Sequence, residues 1–418
     1  MARLPRTGAG TAAWRPAARL RDLPPVGSRE LAERIAAARG RGTDVLELSP
    51  YPVRALPPHV VAAAERAIAE NREAPSRGLS WLRRAAAEQV GREIGRSIDP
   101  ETEVLVTNGA MQALNLVCRT LLEPGDEVLI AAPCYFFHGC VRLAGGVAVH
   151  VPMAEADGFA WDVPSLDAAV TPRTRALVVS TPVNPTGRVL TRAELIALAE
   201  LALSRDLLVI ADESYDRLVF DGWRHESIAA LPGMAERTVL IKSCTKSYAM
   251  PAWRVGYVVA PPPLTGALTK ALEWEQLHTG HVAQAAAAAA IGGPQDWLAD
   301  VGAEFQAARD RLLTGLAGLD GFSCVPPRGG PFLFLNVSRL FASSEEASQA
   351  LLEAGVPTTP GWYCQSDAHV RLAIGAPPPV LDEVVARLTE VARRRRMAAE
   401  GKEVRRRTAT IGKAGRTE

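Results

Sequence analysis

Lys246 ends the run SCTK (243–246), which follows the apolar stretch TVLI and opens SYAMPAWRVGYVVAP. A lysine there has little structural reason to exist, and an amine held away from water gives up its charge and becomes a nucleophile. Two more polar clusters sit just past apolar runs: STPVNPTGR (180–188), with Asn184, and ADESYD (211–216), with Asp212 and Tyr215. TNGAMQAL (107–114) puts Gly109, Ala110 and Met111 at the opening of an amphipathic helix, where free backbone N–H groups suit a phosphate. This set answers the demands of an electrophilic pyridine cofactor. Such a group needs a primary amine to hold it covalently, an anion against its ring nitrogen, donors for its phenolate oxygen, a phosphate cradle and a flat group against its ring. Lys246 is the amine. Asp212, costly as an unpaired carboxylate, stays ionised beside a protonated ring nitrogen. Ser243 and Arg254, at −3 and +8 from Lys246, close the cradle, and Tyr135 in APCYFFH offers the flat face. Taken singly each has a plainer reading: Asp212 as a cap or salt bridge, Asn184 as a turn residue, Tyr135 as core, Tyr215 as core or surface, Arg371 in HVRLAIG as a surface arginine.

The elements that must position these residues follow from the hydrophobic pattern. DEVLIAAP (126–133), VAVHVPM (147–153), RALVVSTP (175–182), LLVIADE (207–213), TVLIKSC (238–244) and VGYVVAP (255–261) are short Val/Ile/Leu runs, most of them separated by helical segments such as RAELIALAELALSRD (192–206). Near-continuous apolar strands alternating with helices predict a mainly parallel sheet covered on both faces, with sites at the carboxyl ends of its strands. Residues 264–317 read as helical, including HVAQAAAAAAIGG as a buried helix. PFLFLNV, SEEASQALLEAG, HVRLAIG and PPVLDEVVARLTEVARRRR form a second, smaller α/β layer. It is expected to pack with a helix at 28–42, capped by Ser28, and another at about 58–70. The division is an N-terminal arm (1–27), a small domain from 28–70 and 300–396, a large domain from 71–299, and a basic flexible tail (397–418).

Composition narrows the classes. Of 418 residues, 48% are hydrophobic and 22% charged, ordinary for a globular protein and enough for two cores and a cleft between them. The net charge is +1, but residues 393–418 hold ten Lys/Arg against three Glu, leaving +7 there and −6 on the remainder. That acidic body is no footprint for nucleic acid, and the basic run reads as a solvated terminus. Six cysteines show no CxxC pair and no metal-like spacing with the seven histidines. No apolar signal segment and no stretch of about 18 uncharged apolar residues appears, so neither secretion nor membrane insertion is expected; a reducing cytoplasm fits.

From about Asp44 to Arg393 the motifs TNGAMQAL, PCY, NPTG, DESY, SCTKSYAMPAWRVGY and HVRLAIG resemble, in order and spacing, the class I/II aminotransferases of fold type I, which use pyridoxal 5'-phosphate. The resemblance implies a seven-stranded, mainly parallel sheet between helices plus a smaller α/β domain built from both termini. It implies that Lys246 bonds the cofactor and shuttles protons, that Asp212 pairs with the ring nitrogen, and that Asn184 and Tyr215 donate to the phenolic oxygen. By the same resemblance Ser243, Arg254 and the backbone from Gly109 to Met111 hold the phosphate, Tyr135 stacks on the ring, and Arg371 takes the substrate α-carboxylate as a bidentate pair. It also implies a homodimer with the arm crossing to the partner.

Three stretches depart from the family pattern. LELSPYP puts Ser49, Pro50 and Tyr51 where the family often has a glycine near the substrate, making a bulkier entrance. NREAPSRG (71–78) lacks the tyrosine that a neighbouring subunit usually lends to the phosphate. Met111 replaces a lysine that reads a second carboxylate in similar bacterial aspartate aminotransferases, so aspartate is expected to be a poor substrate. The implied reaction moves an amino group between an α-amino acid and a 2-oxo acid. Elimination, cyclisation or carbon–carbon bond formation from the same carbanion is the alternative. A regulator fused to a DNA-binding module is disfavoured, because only about 27 unpatterned residues precede the first helix.

Overall fold

The computed structural model describes residues 15–21, 23–51 and 54–414. The first part of the expected arm and the last four residues of the expected tail lie outside them. Seven strands build the large sheet: β1 (Val104–Thr107), β2 (Glu127–Ala132), β3 (Val147–Pro152), β4 (Thr174–Ser180), β5 (Leu208–Asp212), β6 (Thr238–Ser243) and β7 (Gly256–Val259). They lie in the order β1-β7-β6-β5-β4-β2-β3, and β7 alone runs against its neighbours. Along β2, Val128 and Ile130 face one core while Leu129 and Ala131 face the other; β4 alternates likewise, Ala176 and Val178 against Leu177 and Val179. Both faces are therefore dry, and the strands read as unbroken apolar runs in the sequence.

Thirteen α-helices are found among the described residues. In order they are α1 (Gly27–Gly40), α2 (Pro58–Glu70), α3 (Ser80–Ile94), α4 (Gly109–Leu121), α5 (Phe137–Leu143), α6 (Val163–Ala168) and α7 (Arg192–Ser204). Then follow the single turn α8 (Cys244–Ser247), α9 (Pro262–Glu273), α10 (His281–Gly292), α11 (Trp297–Leu316), α12 (Ser344–Glu353) and α13 (Pro378–Ala414). α7 starts with a full capping box, Thr191 and Glu194 each bonding the other's backbone. The Ala-rich α10 is buried as expected: Ala286, Ala287 and Ala290 are inaccessible, and their small side chains let α2 and α3 approach closely.

A second, antiparallel sheet, in the order β10-β11-β9-β8, comprises β8 (Ser323–Cys324), β9 (Phe332–Asn336), β10 (Thr359–Pro360) and β11 (His369–Ala373). Leu333, Leu335, Val370 and Leu372 face a core with Phe305 and Leu312 of α11 and Leu381, Val384 and Leu388 of α13. The alternate residues Phe334, Asn336, His369 and Arg371 face the large sheet instead, because side chains of a strand switch faces at every residue, while Phe332 stays in this core and meets Tyr215.

Three local expectations change. Ser28 does not cap α1: the cap position is Val26, and the Ser28 backbone N–H donates to Tyr135 Oη at 2.7 Å. The two helices of 28–70 part company, α1 meeting α12 through Ala38, Val45 and Leu352, while Val60 and Ala64 of α2 join the core of the large sheet. The last helix continues to Ala414, through most of the stretch expected to be a flexible tail.

Candidate active site

The carboxyl ends of the parallel strands converge on one cleft. Asp212 ends β5, Ser243 ends β6, Asn184 lies beyond β4, Tyr135 beyond β2 and Gly109 beyond β1. Lys246 stands on α8, the turn that Ser243 caps by accepting from Thr245 N–H. Its Nζ lies 5.3 Å from the centre of the Tyr51 ring and 5.5 Å from that of Tyr215. Burial pulls its pKa down to about 8, Asp212 opposes the drop, and the charges of Arg254 and Arg371 add to it.

Asp212 moves the other way. Burial raises its pKa, against the Ser214 hydroxyl and N–H, which both donate to Oδ1 (2.6 and 3.0 Å), and against Lys246. Oδ2 has no donor among the described residues, so this carboxylate is poised to take one more cationic or N–H partner.

Arg371 reaches the cleft from β11. Its Nη1 donates to Asn184 Oδ1 at 2.9 Å, and Asn184 Nδ2 donates to Tyr215 Oη at 3.3 Å, so one chain of bonds joins the small sheet to the large. The guanidinium is sandwiched between Tyr135 and Phe332, 4.0 and 4.3 Å from the ring centres, and Nη2 lies 3.4 Å from Thr359 Oγ1. No carboxylate pairs with it among the described residues, although it is 6% exposed. A buried, unpaired guanidinium held flat is a receptor for a planar anion.

The start of α4 makes a second anion site. Gly109 has φ +78°, and a Cβ there would come within 2.8 Å of Arg254 Nη2. Gly256 of β7 is needed for the same approach, since its Cβ would crowd Gly109 Cα and Ala110 N at 3.1 and 3.2 Å. Arg254, itself at φ +52°, donates to Thr245 Oγ1 and the Pro251 carbonyl, both at 3.3 Å, through Nη1. Nη2 has no acceptor among the described residues. Ser49 pairs with Gly375 in an antiparallel bridge, and its hydroxyl accepts from Tyr51 N–H, which holds the Tyr51 ring at the lysine. Met111 is half-buried with Sδ 3.8 Å from Cys140 Sγ. Arg77, in the stretch without a tyrosine, donates to the Glu101 carbonyl at 2.6 Å.

The sequence matches the family model for class I and II aminotransferases over residues 43–388. The chain belongs to the class I and II aminotransferase family. It is 39% identical over 357 residues to the probable N-succinyldiaminopimelate aminotransferase DapC of Mycobacterium tuberculosis, covering 81% of this chain and 90% of that one. With the aromatic-amino-acid aminotransferase 2 of Thermococcus litoralis it shares 32% over 349 residues, 82% of this chain and 90% of the relative. The solved aspartate aminotransferase of Thermus thermophilus with maleate superposes with a TM-score of 0.86 at 32% identity, over 90% of this chain and all of that one. These relatives act on different amino acids by name, so the family membership carries no aspartate specificity.

In this aminotransferase several site neighbours went unread in the sequence. Phe332 and Thr359 owe their places to strand register, which sets both beside Arg371 and which no single run of residues displays. Beneath Asp212 lies a charge cluster: buried Lys242 Nζ is 2.8 Å from each of Glu93, Glu213 and Asp216, and His225 Nε2 is 2.9 Å from Glu213. The Glu213 contacts are ion pairs in distance without hydrogen-bond alignment. A lysine inside TVLIKS and the flanking acids of DESYD were the available signal.

Proposed function

We propose that this aminotransferase holds pyridoxal 5'-phosphate on Lys246 and moves an amino group between an α-amino acid and a 2-oxo acid, with aspartate a poor donor. Class I and II aminotransferases use this cofactor, and the residues fit it. Gly109, Ala110, Met111, Ser243 and Arg254 would hold its phosphate, the open Oδ2 of Asp212 its ring nitrogen, Asn184 and Tyr215 its phenolic oxygen, and Tyr135 its ring face. The cofactor supplies a sink for the electron pair left at the substrate Cα.

The chain does the rest. Arg371 grips the α-carboxylate through both nitrogens of its fork, and the flanking Tyr135 and Phe332 rings keep that fork in one plane, which fixes the direction of the Cα–H bond. Lys246 Nζ receives the Cα proton and holds it for return, a task suited to an amine whose pKa lies near neutrality. Tyr51 and Ser49 narrow the entrance on the substrate side. Met111 rests on an apolar thiol and offers nothing to a second carboxylate, which disfavours aspartate.

The observation that carries this reading is the buried Lys246 amine beside the under-satisfied carboxylate of Asp212. Its test is a purified protein loaded with the cofactor and treated with borohydride, then peptide mapping. The expected product is a reduced adduct on Lys246, and bleaching of the visible absorbance by single amino acids gives the donor range. An adduct elsewhere, or no bleaching by any amino acid, overturns it.

A large domain from 71–299 and a small domain from the terminal segments belong to the same proposal, with α2 packed on the large one. A homodimer in a reducing cytoplasm completes the proposal. All six cysteines are free, and no helix among the described residues is long and apolar enough to cross a membrane.

A further inference from the structure

Arg371 faces a mechanical conflict. In the free protein its bond to Asn184 spans the two sheets, yet the same fork is to be given to a substrate carboxylate. A second tie between the sheets, one that touches no substrate, would keep β11 in place while Arg371 changes partner.

Such a tie stands two residues away on the same face of the same strand. His369, 4% exposed, stacks on Phe334 at 4.4 Å and 8° and meets the edge of Phe159 at 5.8 Å. Its Nδ1 lies 2.8 Å from Ser366 Oγ, and its Nε2 lies 3.2 Å from Glu155 Oε2. The same Glu155 oxygen accepts from Asn336 Nδ2 at 2.6 Å, and Asn336 is the register partner of His369 across β9. Glu155 itself belongs to the large body, on a 3-10 turn (Glu155–Asp157) after β3. One carboxylate of the large body thus clasps the two central strands of the small sheet, by a hydrogen bond to Asn336 on β9 and a close approach to His369 Nε2 on β11 that lacks hydrogen-bond alignment, while Ser366 holds the imidazole at Nδ1.

We infer that His369 and Glu155 form an interdomain clasp that positions Arg371 for the substrate carboxylate. Neither residue touches the reacting atoms; they act through the placement of β11. The inference rests on the proposed role of Arg371. It assigns a specific kinetic signature, since loosening β11 misplaces a carboxylate receptor and leaves Lys246, Asp212 and the phosphate cradle as they are.

The test uses the cofactor-loaded full chain with three variants and a reference. His369→Phe keeps the stack on Phe334 and removes the Ser366 bond and the Glu155 contact; Glu155→Ala removes the acceptor that Asn336 and His369 share, from its half-exposed side, and guards against a folding failure at the buried site; the double variant asks whether they act as one unit. Arg371→Lys is the reference. Each is measured for KM and kcat with the best amino donor, for inhibition by 4-methylvalerate as an unreactive monocarboxylate, and for the cofactor absorbance. KM and the inhibition constant are expected to rise about tenfold in His369→Phe, and by a similar factor in Glu155→Ala, with kcat within about twofold, absorbance unchanged and no further loss in the double variant. Unchanged KM and inhibition in both single variants overturn the clasp, as does a fall of kcat with altered absorbance in step with KM. If Arg371→Lys raises the inhibition constant while the clasp variants do not, only the clasp falls. If Arg371→Lys leaves it unchanged, the reading of Arg371 falls and the clasp with it.

Discussion

Lys246 and Asp212 pull each other's protonation from opposite sides of one buried gap. Burial makes the amine a weaker base and the carboxyl a weaker acid, and each charge partly offsets the other's loss of water. With a pKa near 8, roughly a tenth of the amine is neutral at pH 7, against well under a thousandth for a lysine in water. Only the neutral amine attacks an aldehyde. The rate at which cofactor-free protein captures pyridoxal phosphate is therefore expected to rise with pH and level off above about 8, followed by stopped-flow absorbance. A midpoint near the ordinary lysine value would refute the environment described for Lys246. Met111 gives a second prediction at this scale. A Met111→Lys variant should raise the kcat/KM ratio of aspartate over neutral donors, by about tenfold if one charge-assisted bond forms, in parallel donor assays. Aspartate already serving as the best donor of the unaltered protein would refute the premise. Lys246, Asp212 and Asn184 were legible because polar groups at the ends of apolar strands break the hydrophobic pattern. Thr359 and Phe332 were not, since each suits its own strand and acquires meaning only when register sets it against Arg371.

The strand-to-loop junction after β5 carries both Asp212 and Tyr215, so whatever fixes that junction fixes the site. Lys242 does so from the neighbouring strand: it binds Glu213 and Asp216 on either side of the Ser214–Tyr215 pair and reaches Glu93 on α3. The three acids hold its pKa well above the usual lysine value despite burial, and Lys242 with His225 holds that of Glu213 down. Removing the cation strands buried carboxylates, so Lys242→Met is expected to cost about 3–5 kcal/mol in denaturant unfolding, far more than lost packing alone. A change under about 1 kcal/mol would show that water or proton uptake compensates. The order of strands and helices was readable because a sheet buried on both faces leaves unbroken Val/Ile/Leu runs. Helix partners were not. The apolar positions of α2 announce a buried face without saying which core receives it, and its neighbour α10 arrives more than two hundred residues later. Ser28 misled for a related reason: its residue type suits a cap, but the nearest acceptor for its N–H is the Tyr135 hydroxyl, contributed from across the chain.

Across the whole molecule the charge asymmetry of the sequence is partly absorbed by pairing. Arg393 and Arg394 share Glu390, Arg395 meets Glu346 and Arg396 meets Asp320, so the start of the basic run is spent on its own surface in bridges that each contribute little to stability. Apolar exposure is less easily absorbed. Trp274 is 87% exposed and Leu277 65% exposed, the latter with φ +65°, a conformation that costs a leucine energy in solution. Both follow α9, beside a groove of about 570 Å³ lined by Asn108, Met111, Arg119, Leu143 and Glu275 along one side of α4, whose first turn is the proposed phosphate site. We propose that a second copy of the chain covers this exposed aromatic beside α4, as the family resemblance implies. Burying the indole contributes roughly 2–3 kcal/mol, so Trp274→Asp combined with Leu277→Asp is expected to raise the dimer dissociation constant at least about 30- to 100-fold, read by sedimentation at a series of concentrations. Because the groove adjoins Gly109 and Arg254, the separated chains should also bind the cofactor more weakly. Unaltered protein that sediments as a monomer with full activity, or a double variant that stays dimeric at dilution, would place the interface elsewhere and leave Trp274 without a partner.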